Sequence, residues 1–494
     1  MLNTHETFTM NDVTGSTANL AFAVLTDNHT SLMHGWVPCV IQAFSVATLV
    51  AAVGWRSRPW RLVWLPVAAV LGAALAGWSH WFITDYGLAD DPAPHLLWWW
   101  IAVSGAAIAI LVLGWHSARW WRRSASLLAV PLCLLSAGLT LNLWVGYFPT
   151  VQTAWDQATA GPLPDQTDAA SVSAMAGAGI QPTHGSVVPV TIPDDASHFK
   201  HRGEVVYLPP AWFSSTPPPQ LPTVMMIGGE FNTPADWLRA GNAVKTIDEL
   251  AVTHGGNAPV FVFVDSGGAF NNDTECVNGS RGNAADHLTK DVVPIMTSKF
   301  GVSPEPAQWG VVGWSMGGTC ALDLTVMHPE LFGSFVDIAG NMGPDVGTKA
   351  QTVARLYGGN ADAWAAFDPA TVIAKHGRYK GVSGWFDIPS SNPPKRHRGL
   401  TVTDAGEVGR SGQESVANPN DQALAAESLC ELGRVNGINC AVVAQPGKHD
   451  WPFASNAFAA ALPWLAGRLG TPGAPHIALP STSLPTPHAE PVGR

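Results

Sequence analysis

Charge is scarce in this sequence and unevenly placed. Only 13% of its 494 residues are Asp, Glu, Lys or Arg, against 47% hydrophobic, a low share for a water-soluble chain. No Lys or Arg precedes residue 56, none falls in 62–118, and none in 124–199. Net charge is −11, and the run Lys395-Arg396-His397-Arg398 is too short to follow a nucleic-acid backbone. That excludes nucleic acid as a partner and leaves the run as a solvated loop. The N-terminus lacks the basic region of a cleaved signal peptide. No C-x-x-C or H-E-x-x-H spacing occurs, so neither a metal nor a cofactor is expected.

What the first 150 residues do contain is four long hydrophobic stretches, 32–55, 62–83, 96–115 and 125–148. Each is free of Asp, Glu, Lys and Arg and long enough to cross hydrocarbon as a helix. Arg56, Arg58 and Arg61 separate the first two, and Arg119, Arg122 and Arg123 the last two, whereas the middle connection carries Asp85, Asp90 and Asp91. The positive-inside rule puts both arginine loops in the cytoplasm. The N-terminal segment 1–31 and everything after residue 148 then lie outside. Nine tryptophans near the span ends, Trp98, Trp99 and Trp100 among them, suit an interfacial belt. His34 and His80 are the only ionisable groups in the spans apart from cysteine and Tyr147, fewer than a proton relay needs. An all-α membrane anchor is the plain reading, and contact with membrane lipids or lateral access for a lipid the sharper one.

Residues 149–183, rich in Ala, Gly, Pro, Thr and Ser, read as a linker or an ordered wrap. From 184 the pattern changes. Val187–Ile192 and 203–208 suggest an antiparallel pair of strands; 222–227, 260–264, 309–312, 333–338, 382–386 and 440–444 read as further strands. Helical stretches fall between them, at 236–253 and 286–300. Continuous apolar strands alternating with helices mean a mainly parallel sheet covered on both faces. That α/β domain runs over 184–470, and 471–494 is a Pro/Ser/Thr-rich tail. Of six cysteines, Cys39 and Cys133 fall in spans, and Cys276, Cys320, Cys430 and Cys440 in the α/β part. Four cysteines allow three pairings; the local pair Cys430–Cys440 leaves Cys276 to meet Cys320, which an oxidising exterior permits.

The strongest motif is Gly313-Trp314-Ser315-Met316-Gly317. It lies between an apolar strand and a helix, where G-x-S-x-G forms a strained turn that exposes the serine hydroxyl. A serine hydroxyl needs a base to remove its proton. In chain order an acid and then a histidine should follow. His449 comes after the strand 440–444 through a short turn, at a strand's carboxyl end where catalytic groups gather. The acid that orients the imidazole is open between Asp421, at a helix start, Asp387, at the end of strand 382–386, and Asp404, Glu407 or Glu414 in the intervening insert 388–419. An aspartate at a helix start can also be only a cap. Backbone N–H groups of Met316 and Glu230 are candidate oxyanion donors, Glu230 because Gly228-Gly229 lets the backbone approach the substrate closely.

Over 184–470 these residues resemble the esterase D-like branch of the α/β-hydrolases, which includes S-formylglutathione hydrolases and secreted mycolyltransferases. The resemblance rests on Val206-Tyr207-Leu208-Pro209-Pro210, Gly228-Gly229, Arg281-Gly282-Asn283, Gly313-Trp314-Ser315-Met316-Gly317-Gly318, His328-Pro329-Glu330-Leu331-Phe332 and Gly447-Lys448-His449-Asp450-Trp451. It implies serine-dependent ester hydrolysis or acyl transfer, with Ser315 as nucleophile, His449 as base and an acid late in the chain, favouring Asp421. The expected substrate is an ester or lipid-like molecule. A multi-span anchor ahead of such a domain is of actinobacterial type. Three functions are to be weighed: a membrane-anchored esterase, an acyltransferase acting on envelope lipids or sugars, and an inactive hydrolase fold used for binding.

Overall fold

The computed structural model describes residues 30–54, 56–86, 93–159, 161–390 and 419–480, with backbone alone at 84–86 and 419–421. The terminal stretches 1–29 and 481–494, and most of the insert with Asp404, Glu407 and Glu414, lie outside those residues. The chain divides into two compact units, one holding the four apolar helices up to Pro162 except for Phe82–Pro92, and the other holding Phe82–Pro92 and the residues from Leu163 onward.

The first unit is built from α1 (Trp36–Val53), α2 (Leu65–Tyr86, entered through a π-turn at Trp60–Trp64), α3 (His95–Gly114) and α4 (Trp120–Val145). Each carries an 18-residue window of mean hydropathy 1.8–2.2, of which only 17–33% is buried. Four helices are thus long and apolar enough to cross a membrane, and they turn most of that apolar surface outward. Where they meet, small hydroxyls replace bulk. Ser45 Oγ lies 2.8 Å from Ser136 Oγ and donates to Leu132 O at 3.0 Å, the kind of contact that lets apolar helices approach. Arg56 Nη1 donates to Gly114 O at 3.0 Å, and its guanidinium sits 4.1 Å over the Trp60 ring. Arg123 Nε donates to Trp115 O at 3.0 Å. The two arginine loops therefore share one end of the bundle.

The second unit is organised by an eight-stranded sheet. Its strands are β1 (Ser186–Val190), β2 (Glu204–Leu208), β3 (Thr223–Ile227), β4 (Val260–Val264), β5 (Trp309–Trp314), β6 (Ser334–Ile338), β7 (Ser383–Ser390) and β8 (Asn439–Pro446). Their spatial order is β1-β2-β4-β3-β5-β6-β7-β8. β1, β2 and β4 pair antiparallel, and every later pairing is parallel. All residues of β3, β4 and β5 are buried, as strands covered on both faces must be. This is the α/β-hydrolase fold. The helices that matter for the site are α6 (Met316–Met327), α7 (Pro419–Val435) and α8 (Trp451–Arg468). Between the bundle and β1, α5 (Ala169–Ala178) contributes Val172 to the main core, and Gln166 bridges to Val187. Residues 163–178 are thus an ordered wrap.

Two helices differ from the sequence expectation. The stretch 236–253 breaks into Asp236–Arg239 and Ala243–Thr253. A Cβ on Gly241 would press on Trp237 O and the Trp451 ring, and Asn242 turns the chain at φ +53°. The stretch 286–300 begins as a π-turn, His287–Val292, before becoming α-helical at Val293–Phe300. Cys276 joins Cys320 and Cys430 joins Cys440, with Cα separations of 5.7 and 5.8 Å. By loop length the first cross-link, closing 44 residues, is worth about 4 kcal/mol and the second, closing 10, about 3 kcal/mol.

Candidate active site

Ser315 stands between the end of β5 and the start of α6 with φ +59° and ψ −125°. A non-glycine residue held there is strained. The surroundings impose it: Ser315 N donates to Ile338 O at 2.9 Å. A Cβ on Gly313 would overlap the Gly317 carbonyl, and one on Gly317 would overlap Ile227 O. Only glycine fits at those two places, so the turn can be this tight. Ser315 is half-buried among fully buried neighbours.

His449 follows β8 and precedes α8, whose N-terminus is capped by Asp450 Oδ1 accepting from Phe453 N at 3.0 Å. Its ring stacks on Trp314, the residue before the serine, at 5.3 Å between centroids. Trp314 in turn meets Trp451 at 4.6 Å. An aromatic wedge thus brings the imidazole beside the elbow, from 134 positions away in sequence.

The oxyanion side is equally close. A Cβ on Gly229 would sit 3.4 Å from Ser315 Cβ. The loop is pinned by Asn232, whose Oδ1 accepts from Gly229 N at 2.8 Å and whose N donates to Gly229 O at 3.0 Å. Glu230 follows within that turn. Met316 opens α6, so its N–H belongs to a helix N-terminus, where the dipole favours negative charge.

Of the candidate acids, only Asp387 has a described side chain. Asp387 is fully buried; Oδ2 accepts from Gln445 Nε2 at 2.6 Å and Trp385 Nε1 at 3.1 Å, and Oδ1 has no hydrogen-bond partner. It makes no bond to His449. Asp421 lies in the first turn of α7, and its side chain is outside the described residues. Its neighbour Gln422 is buried, with Nε2 3.1 Å from His449 Nδ1. The start of α7 therefore places an amide beside His449 Nδ1. Gln422 was not among the residues singled out from sequence; a glutamine at a helix start carries no signal by itself.

The α/β unit also holds a set of buried carboxyls. Burial pushes Asp337 and Asp387 up to about 7 and Asp273 up to about 6, and lifts Glu275 and Asp323 well above the carboxylate range. In the unfolded chain such groups ionise near their ordinary value, so the folded state holds extra protons between about pH 4 and 7. Stability then falls as pH rises through that window and levels off above it. Asp337→Asn, which can still accept from Gly340 N, is expected to stabilise the protein at pH 8 by about 1 kcal/mol or more and to leave it little changed at pH 4. Equal thermal midpoints for the two proteins at pH 8 would refute this.

Sequence comparison agrees with the fold. The Esterase family model ("Putative esterase") matches residues 200–465. An uncharacterized protein of Corynebacterium glutamicum is 28% identical over 379 residues, covering 73% of this chain and 84% of that one. The MPT51 antigen of Mycobacterium leprae is 28% identical over 135 residues, 25% of this chain and 42% of the relative. Among solved structures, an S-formylglutathione hydrolase from Agrobacterium tumefaciens is 16% identical with a TM-score of 0.44, covering 58% of this chain and 97% of that one. With the matched span taking up more than half of the sequence and containing both Ser315 and His449, the chain belongs to the Esterase family, serine hydrolases of the α/β-hydrolase fold that act on ester bonds by hydrolysis or acyl transfer.

Proposed function

We propose that this chain is a membrane-anchored serine esterase working outside the cytoplasm through Ser315, His449 and Asp421. His449 takes the Ser315 proton as the hydroxyl oxygen attacks the ester carbonyl. The N–H groups of Met316 and Glu230 receive the charge that develops on the carbonyl oxygen. The protonated imidazole then passes its proton to the leaving alcohol, and an acyl-enzyme remains. Water, activated by the same imidazole, releases the acid. Asp421 holds the ring in the tautomer that this exchange requires. The observation that carries the reading is the strained serine at φ +59° with the His449 ring stacked on its neighbour Trp314.

The arginine loops, which share one end of the bundle, mark the cytoplasmic side under the positive-inside rule. The two disulfides support an oxidising location for the catalytic unit. A fluorophosphonate probe is expected to label the intact chain on Ser315. A folded protein that reacts elsewhere, or not at all, would sink the proposal.

Acyl transfer is the second reading. Beside the oxyanion loop the Phe231 and Phe270 rings pair at 5.3 Å, and Phe270 is 69% exposed. That aromatic edge suits an apolar acyl chain, as an acyl group handed to a lipid or sugar hydroxyl would carry. Product analysis with a sugar acceptor separates the two readings: free acid alone means hydrolysis.

A further inference from the structure

Outside the catalytic constellation, two histidines and a glutamate converge where β2 begins. His287 Nε2 lies 2.7 Å from Glu204 Oε1, and His201 Nδ1 lies 3.6 Å from Glu204 Oε2. The two imidazoles stack at 4.1 Å. One ligand atom from each of His201, Glu204 and His287 falls within 4.8 Å of the others. Glu204 and His287 are fully buried, while His201 retains a tenth of its side-chain exposure and so leaves a route in from solvent.

Three features go beyond an ordinary buried network. Glu204 Oε2 has no hydrogen-bond partner although it is buried, and an unpaired buried carboxylate oxygen is costly. Both ring nitrogens of His201 face carbonyl oxygens at 2.9 Å, Nδ1 towards Arg202 O and Nε2 towards Ile192 O. A neutral ring has one proton, so one nitrogen lone pair would confront an oxygen lone pair. A second ring proton removes that conflict, and so does a cation at Nδ1, which also supplies the missing partner of Glu204. Finally, the outward-facing nitrogens are already held: His201 Nε2 by Ile192 O, and His287 Nδ1 by Asp291 Oδ2 at 3.2 Å. Carboxylate or carbonyl support behind a histidine is how metal-ligating rings are oriented. His287 also opens the π-turn, a distortion that recurs at functional sites.

We propose that His201 Nδ1, Glu204 and His287 Nε2 bind a divalent transition ion of the zinc class, with the Arg202 carbonyl as a fourth donor. Two imidazoles, a carboxylate and a carbonyl suit zinc. Zinc bonds of about 2.0–2.2 Å place tetrahedral ligands about 3.3 Å apart. The separations, 2.7 Å from His287 Nε2 to Glu204 Oε1, 3.6 Å from His201 Nδ1 to Glu204 Oε2 and 2.9 Å from His201 Nδ1 to Arg202 O, lie on either side of that spacing, and the two stacked rings turn to aim both nitrogens at the ion. The same Arg202 pairs with Asp265 at 2.6 Å and donates from Nη2 to Asn232 O at 2.7 Å. The ion would therefore stiffen the segment that braces the oxyanion loop, without touching the reacting atoms.

The test uses the full chain in detergent, stripped with chelator and titrated with zinc chloride. The expected result is about one zinc per chain, measured by plasma mass spectrometry after desalting, with a thermal midpoint that rises with zinc concentration. Asp291→Asn should weaken zinc binding by about 10–100-fold. Glu204→Gln should lose the bound zinc, and so should His201→Ala, a change at the rim of the site that remains informative if the buried variant does not fold. A wild-type chain that binds no zinc overturns the proposal, as does zinc retained equally by wild type, Glu204→Gln and His201→Ala.

Discussion

Ser315→Ala is expected to lower turnover of an ester substrate by about 10⁴–10⁶-fold while leaving the protein folded. The substitution removes one oxygen from a half-buried position and leaves the backbone bond from residue 315 to Ile338 O intact. His449→Ala should cost a comparable factor. The double variant should be hardly worse than either single one, because the two groups act as one unit. The residual rate would come from binding and from the N–H donors at Met316 and Glu230. Hydrolysis of a chromogenic ester by the purified full chain measures this. Activity retained within tenfold in Ser315→Ala would place the nucleophile elsewhere.

The second large effect distinguishes two of the candidate acids, Asp421 and Asp387. Asp421→Asn is expected to reduce kcat by about 10⁴-fold, the order seen when an orienting carboxylate becomes an amide that cannot hold the productive tautomer. Asp387→Asn should change kcat by less than tenfold, because that carboxyl is engaged with Trp385 and Gln445 and makes no bond to His449. The two variants also differ in stability. Asp387 is held up to about 7 by burial, so its amide should raise the thermal midpoint at pH 8, where the buried carboxyl has to ionise against desolvation. Steady-state kinetics of the two proteins decide the matter. A collapse of kcat in Asp387→Asn with an active Asp421→Asn would reverse the assignment.

How much of this could be read from sequence depended on whether the cause was local. The elbow was legible because its strain is relieved only by glycine at positions 313 and 317, and those demands sit within five residues. The sheet was legible because strands covered on both faces must be apolar throughout, as Val260–Val264 is. Cys276–Cys320 followed only once Cys430–Cys440 had been chosen from its proximity in sequence. What stayed hidden was set by tertiary contact. The helix break at Gly241 answers to Trp451, more than two hundred positions later. Gln422 gains meaning only where the start of α7 meets His449. The cluster of His201, Glu204 and His287 spans 83 positions between its glutamate and its second histidine and matches none of the short metal-binding spacings.

The Cys276–Cys320 bond also has a bearing on when activity arises. It ties the loop carrying Asp273 and Glu275 to the helix that follows Ser315. A reducing cytosol does not form that bond. On the external location proposed above, the bond would close only once the catalytic unit has left the cytosol.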